Sequence, residues 1–323
     1  MRALVLAVAA ALAACEAPTG TSASSTPPAA TSVGHAAFAV ASPNGLIALD
    51  AEGRPRGPIV TLPTDAVPSS PTLDPSGAIV FALLRFENRL PVGSDIFHVN
   101  ADGTDLRPLL QHERANIFYT SPSFDPVGTL YVGRRVFDIA GLAQPADART
   151  VDTIERIDAA FGARRTILTD ASEPTVSPDG KAIVYIHMSR GEQDGLWTAG
   201  IDGSSPRPFL RSKDSFIFLQ GPRISPTGRE IVVCSAGHVV GSGRAGTRAH
   251  LGVISEIYVG PIDGNGVRSI GTTGDDVVPA WAPDGARIAY VLLGTFYVIS
   301  SANGAVLMKR DVGFSYGDPV WLR

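Results

Sequence analysis

Ser177-Pro178-Asp179-Gly180-Lys181-Ala182-Ile183-Val184-Tyr185 is the stretch whose reading decides the fold. Pro presets φ for the first central position of a tight turn, and Gly supplies a positive φ near its end. The run that follows is β-branched and aromatic, the composition of a strand. Near variants of the turn stand at Asp74-Pro75-Ser76-Gly77, Asp125-Pro126-Val127-Gly128, Ser225-Pro226-Thr227-Gly228 and Ala282-Pro283-Asp284-Gly285. The prolines are spaced 51, 52, 48 and 57 residues apart. A period of that length is the mark of a repeat architecture.

The surroundings repeat as well. Before each turn comes Pro-x-large apolar: Pro71-Thr72-Leu73, Pro122-Ser123-Phe124, Pro174-Thr175-Val176, Pro222-Arg223-Ile224 and Pro279-Ala280-Trp281. After it come runs such as Ala78-Ile79-Val80-Phe81 and Glu230-Ile231-Val232-Val233. A third strand follows, then often an Asp-Gly turn (Asp102-Gly103, Asp202-Gly203, Asp263-Gly264), then a short fourth strand such as Arg207-Pro208-Phe209-Leu210. Four short antiparallel strands per unit make a β-propeller blade. Pro319-Val320-Trp321 repeats the start of a unit just as the chain stops, whereas residues 37–62 lack a first strand. The expected fold is therefore all-β: a six-bladed propeller of four-stranded antiparallel blades, closed by the C-terminal strand completing the first blade.

The repeat resembles the PD40, or TolB-like, propeller repeat, with Ser177-Pro178-Asp179-Gly180-Lys181 and Ile183-Val184-Tyr185 as its nearest copy. The resemblance covers nearly everything from about residue 36 onward. It implies a propeller without the α/β domain that precedes it in TolB itself. Gly (34) and Pro (25) then punctuate the turns, and 44% hydrophobic residues supply the core. A net charge of −4 argues against nucleic acid as a partner. Two cysteines exclude a disulfide framework and a Cys-based zinc site.

The N-terminus reads as an address. Arg2 precedes twelve apolar or small residues, Ala3 to Ala14, too few to span a bilayer. Leu12-Ala13-Ala14-Cys15 resembles the lipobox of bacterial lipoproteins, which implies lipidation of Cys15 and cleavage before it. Residues 16–34 are mostly Ser, Thr, Pro, Ala and Gly, a disordered tether. The expected organisation is a signal peptide over 1–14, a lipidated Cys and tether over 15–35, and a propeller over 36–323. The implied location is extracytoplasmic, lipid-anchored to a bacterial membrane at its periplasmic face or the cell surface.

Strand alternation sends the short Pro-Asp-Gly and Asp-Gly turns to one face. The other face is expected to carry long loops: Leu84–Ser94, Gly133–Thr150 and Ser235–Val253 within blades, and Gln111–Thr120 and Arg211–Gln220 between them. Long loops on a rigid scaffold are where binding concentrates. The candidate binding face comprises His112, Arg134, Arg135, His187, Arg190, Glu192, His238, Arg244, Arg248 and His250. The arginines suit a carboxylate or acidic partner. No two of the histidines share a ligand-type spacing, so no metal site and no cofactor is expected. Gly241-Ser242-Gly243-Arg244-Ala245-Gly246 matches G-x-G-x-x-G but lies outside any βαβ context. No G-x-S-x-G elbow is present, and Cys234 falls inside a strand as a small core residue.

Two functions follow. The first is a non-catalytic, membrane-tethered scaffold that binds a protein, peptide or glycan through the long-loop face, as a monomer. The alternative is a lyase or hydrolase using loop-face histidines and carboxylates around the funnel, since some PD40-like pectate-fragment lyases place His ligands in a propeller funnel.

Overall fold

The computed structural model describes residues 36–138, 149–158, 162–211, 216–238, 255–264 and 266–323, and among these it contains strands and turns but no helix. The strands are β1 (Phe38–Ser42), β2 (Gly45–Leu49) and β3 (Pro55–Val60); then β4 (Ala66–Leu73), β5 (Ile79–Glu87), β6 (Leu90–Val99) and β7 (Arg107–Leu110). Next come β8 (Ile117–Phe124), β9 (Leu130–Asp138), β10 (Arg149–Ile157) and β11 (Arg164–Thr169), and β12 (Ala171–Val176), β13 (Ala182–Ser189), β14 (Glu192–Gly200) and β15 (Arg207–Arg211). The rest are β16 (Phe216–Ile224), β17 (Glu230–His238), β18 (Ser255–Pro261), β19 (Arg268–Thr273), β20 (Ala280–Trp281), β21 (Arg287–Leu292), β22 (Thr295–Ser300), β23 (Val306–Asp311) and β24 (Asp318–Trp321).

Three sheets follow chain order with four antiparallel strands each: β12 to β15, β16 to β19 and β20 to β23. β4 to β7 and β8 to β11 form two more such sets, joined into one eight-stranded sheet where β6 runs parallel to β8 at Gly93–Ile117 and Ser94–Phe118. The remaining sheet has the order β24-β1-β2-β3, with Trp321 opposite Phe38 and Asp318 opposite Ala41. First strands pack on one another in sequence: β24 on β4, β4 on β8, β8 on β12, β12 on β16, β16 on β20 and β20 on β24.

The second strands explain the apolar runs. On β13, Ile183 and Tyr185 pack with Tyr131 and Ile154 of the preceding sheet, whereas Val184, Ile186 and Met188 pack with Leu219, Ile231 and Val233 of the following one. A two-residue period thus serves two cores at once, and a strand covered on both faces reads as a continuous apolar run. Phe38, Val40 and Leu49 likewise pack with Ala289, Val291 and Phe296, joining the first sheet to the last-but-one stretch of chain. Each such side chain, fully buried, contributes about 1.5–3 kcal/mol.

The turn phrase works as its composition suggests. Gly180 N donates to Ser177 O at 2.8 Å, Ser177 N to Ala182 O at 2.9 Å, and the Ser177 hydroxyl to Asp179 Oδ1 at 2.6 Å. The Pro-x-apolar phrase does more than start a strand. In β4, β8, β12 and β16 the strand begins several residues earlier, and the phrase sits at a bulge, between Ser69 and Thr72, Thr120 and Ser123, Ser172 and Thr175, and Gln220 and Arg223. A bulge is where a proline can sit inside a sheet. Beside the Pro-x-apolar phrases neighbouring first strands are stitched together: Val176 N donates to Ser123 Oγ at 3.0 Å, Ile224 N to Thr175 Oγ1 at 3.3 Å, and Trp321 Nε1 to Ala280 O at 3.1 Å.

Candidate functional site

The face expected to carry long loops is built partly of prolonged strands. Leu84–Ser94 is no loop: β5 and β6 continue through it and meet at a two-residue turn, Asn88-Arg89, with φ of 50° and 66°. Both positive φ values belong to the turn type whose twist matches a hairpin. The ladder persists because its hydrogen bonds are backbone bonds, indifferent to the polar side chains that mask the strand pattern. Arg190-Gly191 and Leu293-Gly294 turn the same way in later sheets. The remaining expected loops shorten too, since β9 reaches Asp138, β17 reaches His238 and β8 starts at Ile117. Residues 139–148 and 239–254, with Arg244, Arg248 and His250, lie outside the described residues, as does Cys15.

Two imidazoles on this face are held by carboxylates. His112 Nδ1 donates to Asp95 Oδ1 at 2.6 Å, the same oxygen accepts the His112 backbone N–H at 2.9 Å, and Arg85 Nε reaches Asp95 Oδ2 at 3.2 Å. His187 Nδ1 donates to Asp194 Oδ2 at 3.1 Å, and its ring stacks on Trp197 with centroids 4.0 Å apart. A carboxylate acts only as an acceptor, so it fixes the proton on Nδ1 and leaves Nε2 as the basic nitrogen. That arrangement suits a general base or a metal ligand. The two pairs belong to different sheets, however, and no cluster of three or more metal-binding side chains occurs among the described residues. His238 ends β17 with its backbone opposite Phe216.

Arg134 and Arg135 are not free cations. Arg135 Nε lies 2.6 Å from Asp152 Oδ1, a carboxylate 4% exposed. Arg134 Nε lies 3.5 Å from Glu155 Oε1, and Arg134 reaches Glu113 at 4.0 Å. Arg164 completes this group: it contacts Glu113, lies 3.2 Å from Glu155 and donates to the Tyr119 hydroxyl at 2.6 Å, which in turn donates to Glu113 at 2.9 Å. Burial pushes the Glu155 carboxyl up, against the pull of Arg164 and Arg134. Burial also raises Glu113, but backbone, Tyr119 and Arg164 hydrogen bonds outweigh it and hold that carboxyl low. Arg190 and Glu192 are exposed at the tip of the β13–β14 hairpin.

Two features escaped sequence reasoning. A cavity of about 420 Å³ opens between β11 and the β13–β14 pair, lined by Thr166, Thr169, Asp170, Tyr185, His187 and Trp197. Contact between sheets leaves no local pattern, so no sequence signal announced it. The second is a set of charges on the first strands: Glu173, Arg223 and Asp318. Their signal was visible as charge at repeat positions that other copies fill with neutral residues.

No protein-family model matches the chain, and no curated protein sequence matches it significantly. Solved structures do resemble it. TolB from Acinetobacter baumannii has a TM-score of 0.63 at 17% identity, covering 88% of this chain and 65% of that one. The chain thus spans a little under two thirds of that TolB structure. Oligogalacturonate lyase from Vibrio parahaemolyticus has a TM-score of 0.51 at 12% identity, covering 82% of this chain and 71% of that one. An oligogalacturonate lyase in complex with manganese has a TM-score of 0.52 at 13% identity, covering 84% and 70%. At such identities the likeness concerns the fold alone, which is that of a TolB-like β-propeller.

Proposed function

We propose that residues 36–323 form a six-bladed propeller, closed by β24 in the first blade, that acts as a non-catalytic docking scaffold for a protein partner. Closure is supported by the β24–β1 ladder and by the packing of β20 on β24 and β24 on β4. The observation that carries docking is the composition of the hairpin tips on one face. Leu90 is 67% exposed beside Arg89, Leu293 is 58% exposed, and Arg190 is exposed on the hairpin between them. Leucine and arginine on preordered hairpins offer apolar contact and directed hydrogen bonding at little entropic cost.

The same reading places the protein outside the cytoplasm, anchored through a lipid on Cys15 and the tether that follows it. β1 starts opposite Trp321 and Leu49, so the described chain begins on the short-turn face, the side opposite the hairpin tips. Anchoring there leaves the tips accessible. Cys15→Ser is expected to move the protein from the membrane to the soluble fraction; unchanged fractionation would contradict the anchor.

Photocrosslinking tests the docking face. A crosslinker at Leu90 or Leu293 is expected to capture one common partner, and one at Val127, 79% exposed on the short-turn face, is expected not to. Equal capture at Val127 would overturn the assignment. A second reading, a propeller lyase or hydrolase, draws on the His112–Asp95 and His187–Asp194 pairs and on the fold shared with the oligogalacturonate lyases. Turnover of oligogalacturonate with added manganese, lost in His187→Ala, would favour it over the scaffold.

A further inference from the structure

The cavity between β11 and the β13–β14 pair follows from cross-strand register. Tyr185 stands opposite Trp197, on the face of that pair turned toward the preceding sheet. His187 stands opposite Gly195, which has no side chain, so the Trp197 ring lies diagonally under the imidazole and stacks on it. Across from these rings, Thr166 and Thr169 of β11 and Asp170 just after it line the same space of about 420 Å³. That volume falls within the range of small-molecule sites.

The polar groups of this wall are left without partners. The chain has three tryptophans. Trp281 and Trp321 donate their indole N–H groups to backbone carbonyls at 2.9 and 3.1 Å, whereas the Trp197 N–H is enclosed and has no acceptor among the described residues. Tyr119, Tyr131 and Tyr185 are each less than 2% exposed. Tyr119 donates to Glu113 and Tyr131 to Asp125, whereas the Tyr185 hydroxyl makes no hydrogen bond among the described residues. A buried donor without an acceptor costs about 1–3 kcal/mol, and the fold does not explain why two such donors share one cavity. On the opposite side the Asp170 carboxylate and the two threonine hydroxyls are exposed and make no side-chain hydrogen bond among the described residues. His187, with its Nδ1 proton on Asp194, keeps Nε2 as an acceptor. Among the described residues no lysine or arginine lines the space.

We propose that this cavity binds a neutral saccharide. Sugar hydroxyls donate and accept at once. Their oxygens take the Tyr185 and Trp197 protons on the inner wall, and their protons go to the Asp170 carboxylate and His187 Nε2 on the outer side. The C–H face of a pyranose ring lies against the aromatic rings. Charge selects against other classes. An anionic sugar or a phosphate would meet Asp170 with no cation to offset it. An organic cation would pair with Asp170 but leave both inner donors without an acceptor. Leu90, Arg190 and Leu293 of the hairpin tips do not line the cavity, so the inference stands apart from the docking face.

The indole N–H signals in a ¹H–¹⁵N NMR spectrum of the full chain test it, with maltose, cellobiose and lactose as probes and D-galacturonate and choline as comparisons. Trp197→Phe identifies the Trp197 signal. At least one disaccharide is expected to shift that signal saturably, with a Kd of about 1 mM or tighter, while the Trp281 and Trp321 signals stay in place. D-galacturonate and choline are expected to bind at least about tenfold more weakly. Tyr185→Phe removes only the hydroxyl. It is expected to weaken the bound sugar about fivefold to tenfold and to leave the melting temperature unchanged. No shift with any of the three disaccharides, an equal or tighter response to D-galacturonate or choline, or unchanged affinity in Tyr185→Phe would overturn the site. A lower melting temperature in Tyr185→Phe would mean that the hydroxyl is spent inside the fold, and would overturn it as well.

Discussion

Gly264 shows what a single residue can hide. It ends an Asp-Gly turn at φ +81°, which the turn alone explains, yet a Cβ there would also overlap the Phe209 carbonyl oxygen of the preceding sheet. Gly203 meets the Ile167 carbonyl in the same manner. The glycine was legible as turn chemistry; its second duty, letting one sheet's turn press on its neighbour's outer strand, depends on contacts far apart in sequence. Gly264→Ala is expected to cost about 2–4 kcal/mol from strain and overlap together, measured by denaturant unfolding. Asp50 carries a pH dependence. Burial raises its carboxyl, but the Arg54 and Glu52 backbone N–H groups and the Arg54 guanidinium outweigh burial and hold it at about 2, against 3.8 unperturbed. A carboxyl depressed in the folded chain stabilises it above the unperturbed value and loses that contribution as pH falls toward 2. Asp50→Asn should therefore lower the melting temperature at pH 7, and the difference should shrink as pH falls from 4 through 2. Cys234 is a buried core residue, and burial pushes its thiol up to about 12. In the Cys15→Ser chain, a thiol reagent is expected to label Cys234 only on unfolding.

At the scale of elements, the turn phrases and second strands were legible because each is a local pattern backed by a two-faced core. The extended hairpins were not. Phe86-Glu87-Asn88-Arg89-Leu90-Pro91 looks like loop because it projects past the core and so has no buried face to impose alternation, and its turn lacks the glycine that normally marks one. Arg89 sits at φ +66°, where glycine is at ease. Arg89→Gly, giving Asn-Gly, is expected to stabilise the hairpin by up to about 1 kcal/mol, read as slower amide exchange in β5 and β6. The candidate site was legible only in part. His112, His187, Arg134 and Arg135 could be found as residue types, but which carboxylate each one meets could not be assigned, because that depends on register (Arg135 opposite Asp152) and on how chain connections fold back. The bulges at the Pro-x-apolar phrases were invisible for the same reason.

Ring closure is a property of the whole molecule. If the ring closes through the first sheet, β24 supports strands at both ends of the chain. Trp321 packs on Phe38 with ring centroids 4.4 Å apart, its indole N–H reaches Ala280, and Asp318 caps the Ser70 amide. Cys234, by contrast, lies in a core shared by β17, β18, β20 and β21, with no part in the β24 ladder. Its thiol therefore reports whether damage at β24 spreads around the structure. The decisive measurement is thermal unfolding of the chain lacking residues 317–323, followed by Cys234 labelling in the Cys15→Ser background. The closed ring predicts a melting temperature lowered on the order of 10 °C, from a loss of about 3–5 kcal/mol, with Cys234 becoming reactive in that same transition. Melting like the intact chain, or Cys234 remaining protected through a separate early transition, would contradict it.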